Sequence, residues 1–131
     1  MKKVHITLYV LLSLVFSAAT SKAQQSKQAT AVEVIQFHSE HRCVSCVKIE
    51  KLTRTTLSNN FPGMPFTLVN LDDKKNVKKA EQFEATGTAL FLYNTKTGRK
   101  KDLTEFAFMK AGDDQKFEAE LKKYIEDFIK S

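Results

Sequence analysis

The residues of this sequence best suited to chemistry are the two cysteines of Cys43-Val44-Ser45-Cys46. A run rich in β-branched and aromatic residues precedes them, and apolar residues at spacings of three and four follow. The pattern predicts that the pair lies at the junction of a strand and a helix. Two intervening residues at a helix start place both sulfurs on one face and close together. The free N–H groups of a first helical turn favour a thiolate at Cys43.

The side chains next to the cysteines favour the same chemistry. His41 and Arg42 place positive charge beside Cys43, which also favours its thiolate. Cys46 lies one turn deeper on the apolar side of the predicted helix, so we expect it to be more buried and less ionised. Thiol–disulfide exchange needs one exposed reactive thiol that attacks a partner disulfide and one sheltered thiol that resolves the mixed disulfide. The sequence therefore predicts a redox-active dithiol that acts on partner proteins.

Two other interpretations of the cysteine pair remain open. A purely structural disulfide is weakly motivated, because closing so short a loop restrains the unfolded chain very little. The second alternative is a binding module for a soft metal or metalloid. The side chains of His38, His41, Cys43 and Cys46 offer thiolates and imidazoles that suit copper(I), zinc or trivalent arsenic.

The elements that position the pair follow from hydrophobic periodicity and turn residues. Strands are predicted over residues 31–38, 65–71, 88–93 and 101–108, and helices from Cys43, over residues 75–85, and after residues 112–114. The first two strands should be parallel, joined through the first helix, and the last two should form a hairpin, with Phe106 and Phe108 alternating along the fourth strand. The predicted fold is α/β, a mixed four-stranded sheet (β-α-β-α-β-β-α) with helices on both faces.

The cysteine motif at this junction, together with the order of elements, resembles the thioredoxin-like superfamily over most of residues 31–130. More narrowly, Phe37-His38, residues 42–46 and Ile49-Glu50 are similar to a small family of exported thioredoxin-like proteins described as a nitrophenyl compound nitroreductase subunit. That resemblance implies a third alternative, a non-catalytic subunit of a reductase complex. The chain contains no glycine-rich phosphate loop or flavin motif, so we expect no bound cofactor and no nitroreductase activity of its own.

The sequence departs from the thioredoxin pattern at several positions. Arg42 stands where thioredoxins usually have tryptophan, and the first strand lacks their buried acid. Thr88 or Ala89 occupies the place of their cis-proline, so the resemblance implies that Thr88 or Ala89 contacts the substrate backbone. Without proline, a trans peptide bond is expected there, since cis costs about 2.5–4 kcal/mol. These departures weaken the case for general thioredoxin-type reductase activity but leave the dithiol in place.

The first 23 residues have the pattern of a secretory signal peptide. Lys2 and Lys3 are followed by an uncharged apolar run over residues 6–19 and then by small residues around Lys22. We predict cleavage after Ala23, a flexible lead over residues 24–30 and one thioredoxin-like domain over residues 31–131. The protein is thus expected in the periplasm or secreted, where paired cysteines can cycle or stay oxidised.

The charge of the chain indicates no further class of partner besides the proteins that would exchange disulfides with it. The chain has 21 basic and 15 acidic residues, a formal net charge of +6, and part of that excess belongs to the predicted signal peptide. The remaining basic residues are scattered among acids, so we expect no nucleic-acid binding. We also expect a monomer with no stable membrane insertion after signal cleavage.

Overall fold

A mixed four-stranded sheet organises residues 31–131, the part of the chain that the computed structural model describes. Its strands are β1 (Val32–His38), β2 (Phe66–Asn70), β3 (Ala89–Asn94) and β4 (Lys100–Asp102), in the spatial order β2-β1-β3-β4. β1 is parallel to β2 and antiparallel to β3, and β3 is antiparallel to β4. The predicted signal peptide and lead lie outside the described residues.

Four helices cover the two faces of this sheet. They are α1 (Val44–Asn60), α2 (Val77–Phe83), which follows a 3-10 turn at Lys74–Asn76, α3 (Thr104–Lys110) and α4 (Asp114–Lys130). The α/β class, the mixed four-stranded sheet and helices on both faces were predicted from the sequence, and the arrangement is consistent with a thioredoxin-like α/β fold. Within residues 31–131, no helix combines the length and the apolar character needed to cross a membrane.

The alternation of β1 sends its side chains into two separate cores. Val32 and Val34 face the larger core, which the sheet forms with α1, α3 and α4. Ile35 and Phe37 face the smaller core against α2, where Phe37 packs on Phe83 with ring centroids 5.3 Å apart. β1 is thus buried on both faces at the centre of the molecule, and it holds the start of α1 in place.

The prediction of a fourth strand over residues 101–108 was wrong beyond Asp102. The Asp102 carboxylate accepts a hydrogen bond from the backbone N–H of Thr104 at 2.8 Å, and the chain then enters α3. Leu103, Phe106 and Ala107 are buried at helical spacing, whereas Phe108 is exposed. Burial of one helical face therefore prevails over the alternation of two phenylalanines that suggested a strand.

Candidate functional site

The cysteine motif forms the first turn of α1. Cys43 is the N-cap residue, with an extended backbone conformation, and its carbonyl accepts the first helical hydrogen bond from Val47 N–H. Its sulfur accepts a hydrogen bond from the backbone N–H of Cys46 at 3.2 Å. Free N–H groups of a first turn need acceptors, and a sulfur at the N-cap provides one. A negative charge on this sulfur would strengthen the interaction.

The two cysteines form a disulfide, with Cα atoms 5.2 Å apart. Their exposure differs in the predicted direction, since Cys43 is exposed and Cys46 is only 3% exposed. Val44, between the two cysteines, is 88% exposed, and Val47, directly after Cys46, is 50% exposed. An approaching thiolate would therefore meet Cys43 first, on a surface with apolar side chains beside it.

Cys46 is held by polar side chains from two distant segments. The Gln36 side chain on β1 donates from Nε2 to the Cys46 carbonyl at 2.9 Å. The hydroxyl oxygen of Thr88, just before β3, lies 2.9 Å from Cys46 Sγ. The structure thus brings Thr88 to the cysteine pair, and none of the peptide bonds among residues 31–131 is cis.

Gln36 is a site residue that the sequence reasoning missed. Its side chain is fully buried on the face of β1 that also carries Val32 and Val34, and its Oε1 has no hydrogen-bond partner among the described residues. Gln36 falls at the alternate positions of β1 that face the core, and a buried polar side chain requires a hydrogen-bond partner. This placement is the signal in the sequence that could have identified it. Because the amide is neutral, it can position Cys46 but cannot act as a base.

The guanidinium of Arg42 pairs with the Glu50 carboxylate, so its charge is not free to act on Cys43. Its Nη1 lies 2.5 Å from Glu50 Oε2, and Arg54 binds the other oxygen of the same carboxylate at 2.9 Å. Partial burial alone would raise the pKa of Glu50, but the hydrogen bonds and charges of the two arginines outweigh burial and hold this pKa below its ordinary value. Glu50 and Arg54 are four residues apart on one helix, a spacing at which opposite charges pair, whereas Arg42 reaches Glu50 from the residue before the helix N-cap.

His38 and His41, at the end of β1 and in the loop that leads to α1, do not form a metal-binding cluster with the side chains around them. His41 is exposed, and the ring of His38 is bound through Nδ1 to the Ser39 carbonyl at 2.9 Å. The Asp72 carboxylate accepts from Glu40 N–H at 2.6 Å and so ties this loop to the end of β2. In the described part of the chain, no three His, Cys, Asp or Glu side chains converge as metal ligands. His38 and His41 are therefore not gathered with the two cysteines into one cluster of metal ligands in this part of the chain.

Comparisons with known proteins give the chain no family. No protein-family model matches it, and no curated protein is similar to it in sequence. Among solved structures, it is similar to a chain described as a malarial protein, with 22% sequence identity and a TM-score of 0.43. That match covers 61% of this chain and 94% of the other, and it is too distant to carry an argument. Function must therefore be argued from the site itself.

Proposed function

We propose that the protein is an exported thiol–disulfide oxidoreductase that acts on cysteines of partner proteins through Cys43 and Cys46. One observation carries the proposal: an exposed sulfur at a helix N-cap is joined to a sheltered sulfur one turn later. The N–H groups at the N-terminus of the helix favour a thiolate on the exposed sulfur. Burial keeps the other thiol protonated and sheltered until the mixed disulfide has formed. A disulfide with a purely stabilising role needs neither feature.

In the reducing direction, Cys43 is the nucleophile. Its thiolate attacks one sulfur of a partner disulfide, the partner S–S bond breaks, and one partner cysteine leaves as a thiolate. Cys46 then loses its proton, its sulfur attacks Cys43 Sγ, and the second partner cysteine leaves. The partner gains two electrons and the dithiol becomes the disulfide. The same steps in reverse donate a disulfide to a partner.

The remaining proposed site residues act around these two sulfurs. In this proposal the imidazole of the exposed His41, two residues before Cys43, helps to stabilise the Cys43 thiolate. Arg42 adds less, because Glu50 offsets its charge. The Thr88 hydroxyl lies 2.9 Å from Cys46 Sγ, and in this proposal the Thr88 backbone contacts the extended backbone of the substrate.

Glutathione disulfide tests these roles directly. The chain has only two cysteines, so every adduct can be assigned. Reduced Cys46→Ser should accumulate a stable glutathione adduct on Cys43, detected by mass spectrometry after acid quenching. Reduced Cys43→Ser should react far more slowly, and the double serine variant is the control that forms no adduct. Equal rates for the two single variants would overturn the assignment of nucleophile and resolving thiol.

Export is the second part of the proposal, and it rests on the charged, apolar and small-residue order of residues 1–23. The full chain expressed in a bacterial host with a periplasm should appear in the periplasmic fraction. N-terminal sequencing should then begin at Gln24. An intact Met1 in the cytoplasmic fraction would contradict export.

A further inference from the structure

The Thr88 hydroxyl contacts the sulfur that must act second. Its Oγ1 lies 2.9 Å from Cys46 Sγ, across 42 residues of sequence. In the disulfide neither sulfur carries a proton, so the hydroxyl is the donor and the sulfur the acceptor. The contact joins a side chain that is only partly buried to a cysteine that is 3% exposed.

The second step of exchange places a particular demand on Cys46. To resolve a mixed disulfide on Cys43, the Cys46 thiol must lose its proton and carry negative charge while largely shielded from water. Burial disfavours a thiolate unless a hydrogen-bond donor faces it. A hydroxyl that donates to an anion forms a charge-assisted hydrogen bond, which is stronger than its neutral counterpart.

The other group that holds Cys46 cannot meet this demand. Gln36 donates to the Cys46 carbonyl rather than to the sulfur. Among residues 31–131, Thr88 is the side chain within hydrogen-bond distance of Cys46 Sγ, apart from the disulfide partner itself. Partial exposure of Thr88 also gives the proton a route to water through the hydroxyl.

We propose that Thr88 is a catalytic residue of the resolving step, whose hydroxyl donates a hydrogen bond to the Cys46 thiolate and connects it to solvent. Cys46 gives its proton to water, its sulfur displaces the partner from Cys43, and the partner leaves as a thiolate. The first attack, by Cys43, does not use this hydroxyl. The inference rests on the proposed exchange activity and adds a separate role to the side chain.

Thr88→Val tests the role, because valine keeps the shape of threonine and removes the hydroxyl. Each reduced variant is mixed with glutathione disulfide, quenched with acid at intervals and analysed by mass spectrometry. We expect first attack within about twofold of wild type, and a mixed disulfide that persists about tenfold longer. The pH at which the rate of resolution is half-maximal should rise by about one pH unit, because a tenfold loss of thiolate stability corresponds to one pKa unit.

Three further variants isolate the hydroxyl from packing. Thr88→Ser keeps the hydroxyl and should resolve at nearly the wild-type rate. Thr88→Ala lacks the hydroxyl without added bulk and should behave as Thr88→Val, which keeps the test valid if the valine variant does not fold. Thr86→Val alters an exposed threonine two residues earlier and should match wild type.

The outcomes separate this inference from the proposed function. If wild type exchanges and both hydroxyl-free variants resolve at its rate across the pH range, the role of Thr88 is wrong and the exchange activity stands. If wild type forms no mixed disulfide, the proposed function is wrong and this inference falls with it. Slow resolution in both hydroxyl-free variants, with rescue by serine, supports the inference.

Discussion

The electrostatics of Cys43 depend on which neighbouring charges are already paired. Arg42 adjoins Cys43 in sequence, yet its guanidinium lies against the Glu50 carboxylate, which Arg54 also binds. The cluster of Arg42, Arg54 and Glu50 has a net positive charge. The charge of Arg42, the residue next to Cys43, is however offset by the Glu50 carboxylate. The N–H of Cys46, which already donates to Cys43 Sγ, is therefore the main local group that stabilises a thiolate there.

The same cluster predicts how stability changes with pH. The pKa of Glu50 is lower in the folded protein than in the unfolded chain, because the hydrogen bonds and charges of Arg42 and Arg54 outweigh burial. A depressed carboxyl pKa contributes stability that is fully present above its ordinary value of 4.5 and is lost as pH falls through the folded value. Glu50→Gln should thus be destabilised at pH 7 and should lose less stability than wild type on acidification.

Urea unfolding at pH 7 and at pH 3 measures this effect. Glu118→Gln, which removes a carboxylate on α4 instead, is the matched control. If Glu50→Gln loses as much free energy of unfolding between the two pH values as wild type does, the coupling of Glu50 to the arginines is refuted.

At the scale of elements, the segment after β4 shows where a sequence pattern is ambiguous. Phe106 and Phe108 alternate as strand residues do, but Leu103, Phe106 and Ala107 also fit one face of a helix. The ring of Phe106 packs against Phe117 and Tyr124 of α4, with centroids 5.1 and 5.0 Å away. Those contacts join residues distant in sequence, so local periodicity alone could not decide between strand and helix.

The two phenylalanines should therefore differ sharply in their contribution to stability. Phe106 is 8% exposed, and Phe106→Ala should cost about 3–5 kcal/mol in free energy of unfolding. Phe108 is 42% exposed, and Phe108→Ala should change stability by no more than about 0.5 kcal/mol. Urea titration of the two variants checks this, and equal costs would favour a strand with both rings on one face.

At the scale of the whole molecule, the sequence predicted the sheet and the place of the dithiol, but not what holds the dithiol. The first three strands, the first and last helices and the burial of Cys46 follow from periodicity, caps and turns, which are local signals. Gln36 and Thr88 contact Cys46 across 10 and 42 residues of sequence. Such pairings arise only when the sheet assembles, so the sequence shows that these residues are polar but not what they bind.

The fold should not depend on the disulfide. Its two cores lie on opposite faces of the sheet and draw on all the strands except β4, whereas the disulfide closes only the first turn of α1. Closing so short a loop contributes at most about 2 kcal/mol through the unfolded chain. Urea unfolding with and without a phosphine reductant should therefore show a folded reduced protein with a loss of that size or smaller.

Circular dichroism of the reduced protein provides the complementary observation. The far-ultraviolet spectrum should keep its helical signal, because Cys43 caps α1 through its carbonyl and its sulfur, and reduction of the disulfide removes neither group. Loss of that signal on reduction at 25 °C would point to a structural disulfide instead.

The reduction potential of the Cys43–Cys46 pair, equilibrated against a glutathione series, tests the central claim most directly. A redox-active pair should have a potential above about −300 mV, with Cys43 readily alkylated in the reduced form. A value near about −120 mV would make the protein a disulfide donor, and one near about −270 mV a reductant. A potential below about −300 mV, with Cys43 unreactive towards alkylation, would contradict the proposed function and leave a structural disulfide.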